Sequence, residues 1–509
     1  MDYNSRSVCS VYKGDVIEVR NPATGEVVGH VASAAPAEMR EAASRAREAQ
    51  HRWKQVSFAE RARVIRRFHD LVLSRRDQIL DTIQSETGKA RRDALGEVIT
   101  VAGTARYYLT HGRKHLKPRR RRPAIPAITS AEVIYKPHGL VGLITPWNYP
   151  FLLTAGDALP ALIAGNAVMI KPSELTPLSA VLARDLLVES GLDPHLVAVV
   201  NGTGEAGSEL IRHVDYVGFT GGTVTGRKVA VAAGERLVPY SLELGGKNPM
   251  VVLKGASLDE ASTGLLAGAF SNSGQTCISV ERVYIEESIY EDFARRVAEK
   301  TSKLKLGWSR SWDVDMGSMI SKEHAAKVLS HVQQAVDRGA HVLAGGRART
   351  DLGSTFIEPT VLSDVDGSMA ISREETFGPV VALYPARTAE EAIAKANDSE
   401  YGLNASVWAG KMTQAREVAR QLETGSAVIN STLLIYNAFD VPMGGVKLSG
   451  IGRRHGEHGI LRYTQAQSIV SSVALGGGYD SMLMRVKSEG MARALIGALR
   501  AWIRLPWVK

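Results

Sequence analysis

Over most of its length the chain alternates short β-branched or apolar runs with Gly or Pro turns and helical stretches, and that alternation leaves few folds open. Val141-Gly142-Leu143-Ile144, Ala167-Val168-Met169-Ile170, Val197-Ala198-Val199-Val200 and Tyr216-Val217-Gly218-Phe219 form a first series. The runs from Pro249 to Leu253, Val283 to Ile285, Val380 to Tyr384 and Ala427 to Asn430 form a second. Strands separated by helices imply β-α-β units and parallel sheets. At 509 residues, the chain has room for two α/β domains in sequence, each with a buried core. Residues from Ala35 to about His111 instead show helical spacing. Glu38, Glu41, Arg45 and Glu48 share one face, and Met39, Ala42, Ala46 and Ala49 another.

Hydrophobic residues at 44% and charged residues at 23% suit a globular protein. Two cysteines, Cys9 and Cys277, cannot make a disulfide framework, so a reducing, cytoplasmic compartment is expected. The first residues lack a signal-peptide pattern, and no run of about 20 apolar residues predicts a membrane span. The net charge of +9 is concentrated. Arg113 to Pro123 is a basic run without interleaved aromatics or a recognised binding module, so it reads as a solvated linker and nucleic acid is not an expected partner. Gly476-Gly477-Gly478 reads as a flexible joint. Beyond it, Met491, Ala494, Leu495, Ala498, Trp502 and Ile503 share a helical face, with Arg493, Arg500 and Arg504 on another and Trp507 near the end. Two readings stay open for this tail, 479–509: peripheral contact with an anionic membrane surface, or docking on protein.

Cys277 lies in Ser273-Gly274-Gln275-Thr276-Cys277-Ile278-Ser279, and Leu242-Glu243-Leu244-Gly245-Gly246-Lys247 precedes it. A lone cysteine is most often a small buried hydrophobe. A thiol on a small-residue turn with an acid in reach also suits nucleophilic catalysis, with the carboxylate as base for water. Gly202-Thr203-Gly204-Glu205-Ala206-Gly207 fits G-x-G-x-x-G after a strand. Phe219-Thr220-Gly221-Gly222-Thr223 competes for the same role, since glycines there let backbone amides and a helix N-terminus approach a pyrophosphate. Lys171-Pro172-Ser173-Glu174 follows another strand and offers groups for ribose hydroxyls. His455 and His458 show no metal-ligand spacing, so no metal is expected. Lys247 and Lys305 read as surface or structural lysines, and Glu97 is a candidate for the substrate entrance with no chemical role assigned.

Taken with Pro146-Trp147-Asn148-Tyr149-Pro150 and Glu374-Glu375-Thr376-Phe377-Gly378-Pro379, these segments resemble the NAD(P)-dependent aldehyde dehydrogenase superfamily over roughly residues 15 to 470. The resemblance implies an α/β fold: a Rossmann-type cofactor domain (1–122 and 142–246) and a catalytic α/β domain (247–454). A β oligomerisation arm (123–141 and 455–475) and the basic tail (476–509) would complete it, as a homodimer or homotetramer. It implies that Cys277 attacks the aldehyde, that the Asn148 amide and the Cys277 N–H hold the oxyanion, and that Glu243 activates water. Lys171 and Glu174 would meet the adenosine ribose, Glu375 the nicotinamide ribose, and Phe377 the nicotinamide ring. Thr145, Pro146, Trp147, Ser173, Gly204, Phe219, Thr220, Gly221, Gly222, Thr223, Leu244 and Gly245 would complete the cofactor contacts. Gly222 departs from the family's usual Ser. Glu174 favours NAD, because a carboxylate pairs with a free 2′-hydroxyl and repels a 2′-phosphate; NADP remains an alternative.

The chain further resembles bacterial succinate-semialdehyde dehydrogenases, which implies a small aldehyde substrate with a carboxylate. Such enzymes hold that carboxylate with arginines, and at the matching positions this chain has Gly156 and Ser271. Leu152, Leu153, Ile435 and Met443 make the expected mouth apolar, which suits medium- or long-chain or aromatic aldehydes. CoA-acylating relatives typically lack the Glu found here at 243. A non-enzymatic nucleic-acid or membrane-binding protein would be free to lose Cys277 and Asn148.

Overall fold

The computed structural model of the chain describes residues 15–123, 129–472 and 484–503. Cys9, the Gly476-Gly477-Gly478 joint, Arg504 and Trp507 lie outside them, as do residues 124–128 of the expected β oligomerisation arm. The chain divides into two compact units. One combines the residues up to His115 with Pro137–Gln465, and the other combines Leu116–Lys136 with the residues from Ala466 on.

The larger unit opens with an antiparallel hairpin, Val16–Arg20 against Val27–Ala32, followed by four helices, Pro36–Trp53, Phe58–Ser74, Arg76–Thr87 and Arg91–Leu116. Local chemistry sets these helix starts and stops. The Glu38 carboxylate accepts from Ala35 N at 2.9 Å, and Ser57 and Glu60 exchange hydrogen bonds across the first turn of the second helix. Gly88 ends the third helix at φ 70, a conformation that costs glycine little. Met39, Ala46 and Ala49 are buried, as the helical spacing predicts.

Two sheets follow. The first runs in the order Gly450–Ile451, Tyr240–Glu243, Tyr216–Thr220, Leu140–Ile144, Ala167–Lys171, Val197–Val199. Its strands are parallel except for the antiparallel edge Gly450–Ile451. The order reverses between Leu140–Ile144 and Tyr216–Thr220, and at such a switch point the strand-end loops open into a crevice. The second sheet has the order His341–Ala344, Thr360–Ser363, Val380–Ala386, Val280–Glu286, Asn248–Val252, Asn404–Trp408, Ser426–Ile429. Only its edge His341–Ala344 is antiparallel. Period-two alternation buries both of its faces. Met250 and Val252 pack with Leu265, Phe270 and Phe293, while Val251 and Leu253 pack with Ala392, Ile393 and Val418.

The smaller unit carries a three-stranded sheet ordered Thr464–Ser472, Thr129–Pro137, Arg119–Arg121, and a helix, Glu489–Ile503. The basic run expected as a linker is therefore ordered. Arg113, Lys114 and His115 fall in the last turn of Arg91–Leu116, where positive charge complements the helix dipole. Arg119–Arg121 pairs antiparallel with Thr129–Pro137, and the Arg119 guanidinium lies 5.6 Å from the Tyr135 ring centre. Met491, Ile496 and Leu499 on the terminal helix are exposed. Among the described residues, no helix is long and apolar enough to cross a membrane.

Phe293 is fully buried in the second sheet's core. Phe293→Ala should destabilise that half of the protein by about 3–5 kcal/mol through lost contacts and a residual cavity, read as a lower urea midpoint in tryptophan-monitored unfolding.

Candidate active site

Cys277 follows the helix Leu258–Phe270 through a tight turn in which Asn272, Ser273 and Gly274 all have positive φ, at 51, 56 and 70. Two consecutive non-glycine residues in this region are strained, and the surroundings must hold them. Asn272 Nδ2 donates to Asn148 O at 3.0 Å and to Gln275 O at 3.1 Å. Gln275 Nε2 donates to Asn272 O at 3.0 Å, and Ser273 Oγ donates to Gly317 O at 2.9 Å. Gly274 is obligatory: a Cβ there would lie 2.1 Å from Gly378 O. Asn248 Nδ2 then fixes Cys277 O at 2.8 Å. The thiol packs against Ile278, Ile435 and Met443, and Tyr436 Oη lies 3.0 Å from its Sγ. Burial pushes the thiol up to about 11, against the Tyr436 hydrogen bond and the positive charge of Arg454.

Asn148 sits between the strand Leu140–Ile144 and the helix Pro150–Ile163. Its Nδ2 donates to Gln275 O at 3.0 Å, and its Oδ1 is buried without a partner. An amide nitrogen carries two hydrogens, so a second donor remains. Cys277 N has no hydrogen-bond partner among the described residues. Behind Asn148, Lys89 Nζ donates to its carbonyl at 2.6 Å and to Glu97 Oε1 at 2.7 Å. Glu97 does not face an entrance. It is fully buried and accepts from Phe151 N and Leu152 N at 3.0 and 2.9 Å, capping that helix.

Glu243 ends the strand Tyr240–Glu243. Its Oε1 is buried and unpartnered, and burial pushes the carboxyl up to about 7, with Arg454 and Arg462 opposing. Those two arginines and Tyr436 line one pocket together with Leu152, Leu153 and Gly156. Asp157 bridges the arginines. It accepts from Arg454 Nε and Nη2 at 3.1 and 2.8 Å, and from Arg462 Nη2 at 2.7 Å. Arg462 Nε and His455 Nδ1 stay buried and unpartnered. Ser271, by contrast, is not part of this lining.

The groups expected at a dinucleotide converge on the strand ends of the first sheet. Lys171 Nζ lies 3.2 Å from Glu174 Oε2, and Ser173 Oγ accepts from Leu175 N at 3.3 Å. Gly222 is the N-cap of the helix Thr223–Glu235, with no side-chain cap, and a Cβ there would meet open space. Gly221 N donates to Glu243 O at 3.1 Å, and the Phe219 ring closes on Gly221 so that a Cβ there would lie 2.6 Å from it. Gly204 opens the helix Gly204–Ile211, also facing open space. Glu375 Oε1 accepts from Gly246 N at 2.8 Å. It rests on Gly245, where a Cβ would lie 2.2 Å from its carboxylate, and burial pushes it up to about 7. Phe377 packs edge-on against Trp147, ring centres 5.5 Å apart; Pro146 is half-buried beside it. Leu244 N donates to Ser449 O at 3.0 Å. Three threonines are engaged within the protein: Thr145 with Thr154, Thr223 with Leu448 O, and Thr220 with Arg454. Uncapped amides at Gly222, a half-exposed carboxylate at Glu174 and the glycine floor under Glu375 fit a dinucleotide.

Lys247 is not at the surface. It is fully buried and paired with Glu281, whose carboxylate also accepts from Thr376 N and Phe377 N at 3.0 Å. Sequence reasoning missed Tyr436, the Lys89–Glu97 pair and the cluster of Asp157, Arg454 and Arg462. Each depends on contacts between residues far apart in the chain.

The model of the aldehyde dehydrogenase family matches residues 11–469. A Mycobacterium tuberculosis protein named "Putative succinate-semialdehyde dehydrogenase [NADP(+)] 2" is 44% identical over 451 residues, covering 88% of this chain and 87% of that protein. The mitochondrial succinate-semialdehyde dehydrogenase of Arabidopsis thaliana is 37% identical, covering 90% and 86%. Among solved structures, an NAD-dependent aldehyde dehydrogenase from Sinorhizobium meliloti superposes with a TM-score of 0.88 at 34% identity, covering 91% of this chain and 93% of that one. The chain therefore belongs to the aldehyde dehydrogenase family and is an oxidoreductase that oxidises aldehydes with NAD(P).

Proposed function

We propose that the chain oxidises an aldehyde carrying a carboxylate, of which succinate semialdehyde is the type, to the corresponding acid, using Cys277 as nucleophile, Asn148 and the Cys277 N–H as oxyanion donors and Glu243 as hydrolytic base. The observation that carries this reading is the buried, unpartnered Glu243 carboxylate, close enough to the buried thiol for its charge to act on it. Lys171, Glu174, Glu375 and the Gly221-Gly222 turn would hold NAD(P), which would supply the hydride acceptor. Cys277 Sγ bonds the aldehyde carbon, and the spare Asn148 hydrogen and the Cys277 N–H take up the charge on oxygen. Once the acyl group rests on Sγ, Glu243 removes a proton from water, whose oxygen replaces sulfur at the acyl carbon. Desolvation makes Glu243 a stronger base than an exposed carboxylate. Glu174 supports NAD over NADP, whereas the mycobacterial relative's name carries NADP(+).

Arg454 and Arg462 supply what Gly156 and Ser271 do not. Two guanidinium groups share one Asp157, and Arg462 Nε has no acceptor, so the pocket offers charge to a substrate carboxylate. The runner-up is an apolar aldehyde, favoured by Leu152, Leu153, Ile435 and Met443. The assembly we propose is a cytoplasmic homodimer or homotetramer, supported by the edge strand Thr464–Ser472, exposed at Ile469 and Val470. Peripheral membrane contact is supported by exposed Met491, Ile496 and Leu499 beside Arg493 and Arg500.

Initial rates of NADH and NADPH formation with succinate semialdehyde, hexanal, decanal and benzaldehyde test the substrate. Succinate semialdehyde should give the highest kcat/KM, and Arg462→Met should lower the succinate semialdehyde-to-hexanal ratio by about 10- to 100-fold. A ratio that stays put, or a wild-type preference for hexanal, returns the reading to apolar aldehydes. Glu243→Gln should give a burst of NADH and then stall at the thioester. A base is active when ionised, so wild-type hydrolysis should rise with pH through about 7, and this limb should vanish in the single-turnover deacylation of Glu243→Gln. Deleting Gly478 to Lys509 should leave turnover intact and abolish sedimentation with phosphatidylserine vesicles.

A further inference from the structure

Among the described residues, the hydroxyl of Tyr436 is the one group in hydrogen-bond contact with Cys277 Sγ, at 3.0 Å. Tyr436 lies in the short helical turn Leu434–Asn437, far in sequence from the thiol, and its ring also lines the pocket that reaches Arg454 and Arg462. The neighbouring phenol does not compete for the sulfur, because Tyr149 Oη, 2.8 Å from Thr276 Oγ1, is already engaged, although the two rings lie 6.3 Å apart. No second partner of Tyr436 Oη occurs among the described residues.

We propose that Tyr436 is the positioning residue of the nucleophile, its hydroxyl donating a hydrogen bond to Cys277 Sγ that aims the thiolate at the aldehyde carbon and stabilises it. This rests on reading Cys277 as the nucleophile. An ionised sulfur carries no hydrogen, so in that state the phenol must be the donor. A hydrogen bond to the charged form favours that form. Burial holds the Tyr436 hydroxyl well above its usual range, so it keeps its proton and remains a donor. In the attack a sulfur lone pair forms the S–C bond, the carbonyl π pair moves onto oxygen, and the phenol proton stays where it is. The charged groups facing the sulfur divide. Arg454 favours the thiolate, and Glu243 and Glu375 oppose it. Tyr436 therefore adds a neutral donor where a further cation would also pull on Glu243.

The decisive experiment is alkylation of the full-length protein by iodoacetamide from pH 7 to 11, with neither aldehyde nor cofactor, following the Cys277 peptide by mass spectrometry so that Cys9 does not contribute. In Tyr436→Phe the rising limb should move up by about one pH unit, lowering the rate at pH 8 about tenfold. Replacing Tyr436 by 3-fluorotyrosine, nearly isosteric and a stronger donor, should move the limb down. A purely structural role would leave the limb of the nearly isosteric 3-fluorotyrosine protein where the wild type has it, and that result, or a limb unmoved in Tyr436→Phe, overturns the proposal. A moved limb in a protein that oxidises no aldehyde would overturn the functional reading alone.

Discussion

Lys89 places an ammonium group in the interior, 2.7 Å from Glu97 Oε1 and 2.6 Å from Asn148 O. Neither Lys89 nor Glu97 exposes side-chain surface, so each depends on the other for its charge. Breaking such a pair leaves an uncompensated buried ion, which is why the arrangement is rigid even where it adds little net stability. The other ends of the pair define the site. Glu97 caps the helix Pro150–Ile163, and Lys89 holds the backbone of Asn148. Asn148 and Asn272 both donate to Gln275 O, which fixes the strained turn that presents Cys277. Cys277, Asn148 and the helix beside the pocket thus share one buried charge pair as their anchor.

Desolvation shapes the chemistry with one rule and several outcomes. It pushes Glu243 and Glu375 up to about 7 and Cys277 up to about 11. A carboxylate near 7 cannot by itself deprotonate a thiol near 11 to any large extent, so the two groups are matched to different steps. Glu243 suits a water molecule attacking an activated acyl carbon, where a modest base suffices. The proposed attack would need the thiol's ionised form stabilised in place, which the hydroxyl of Tyr436 and the charge of Arg454 would supply. Arg454 also opposes the rise of Glu243. One cation therefore acts on both groups, and its partner Asp157 opposes its effect on Glu243.

The fold was legible because period-two apolar runs and turn residues are local signals. Val141 to Ile144, Ala167 to Ile170 and Tyr216 to Phe219 are strands of one sheet, and the helical spacing of Met39, Ala46 and Ala49 gave the buried face of the first helix. The candidate nucleophile and base stood out as motif residues on strand ends and turns. What stayed hidden was set by long-range contact. Arg119–Arg121 reads as linker because charge runs usually are solvated, yet backbone pairing to Thr129–Pro137 orders it. Lys247 reads as a surface or structural lysine, and only its burial against Glu281 decides for the structural role. Tyr436 carries no local mark at all, since its meaning comes from a sulfur 159 residues away.

If the pocket at Arg454 and Arg462 takes the proposed substrate, matching arginines position by position is too narrow a criterion. Gly156 removes a side chain from the helix that walls the pocket, and a Cβ there would meet only Leu152 Cδ1 at 3.3 Å. The space so left is lined on its far side by Arg454 and Arg462, brought in from the segment after the last strand of the first sheet. A carboxylate needs donors at a distance from the thiol that suits the substrate's length; it does not need them on a particular helix. Apolar walls then act with the charge, because a guanidinium in a pocket of low polarity is worth more to an anion than one in water. The cost is that Asp157 must be shared. On the proposed reading, a substrate carboxylate would compete with Asp157 for Arg462, and a substrate without one would leave the Arg462 Nε donor unpaired in a buried site.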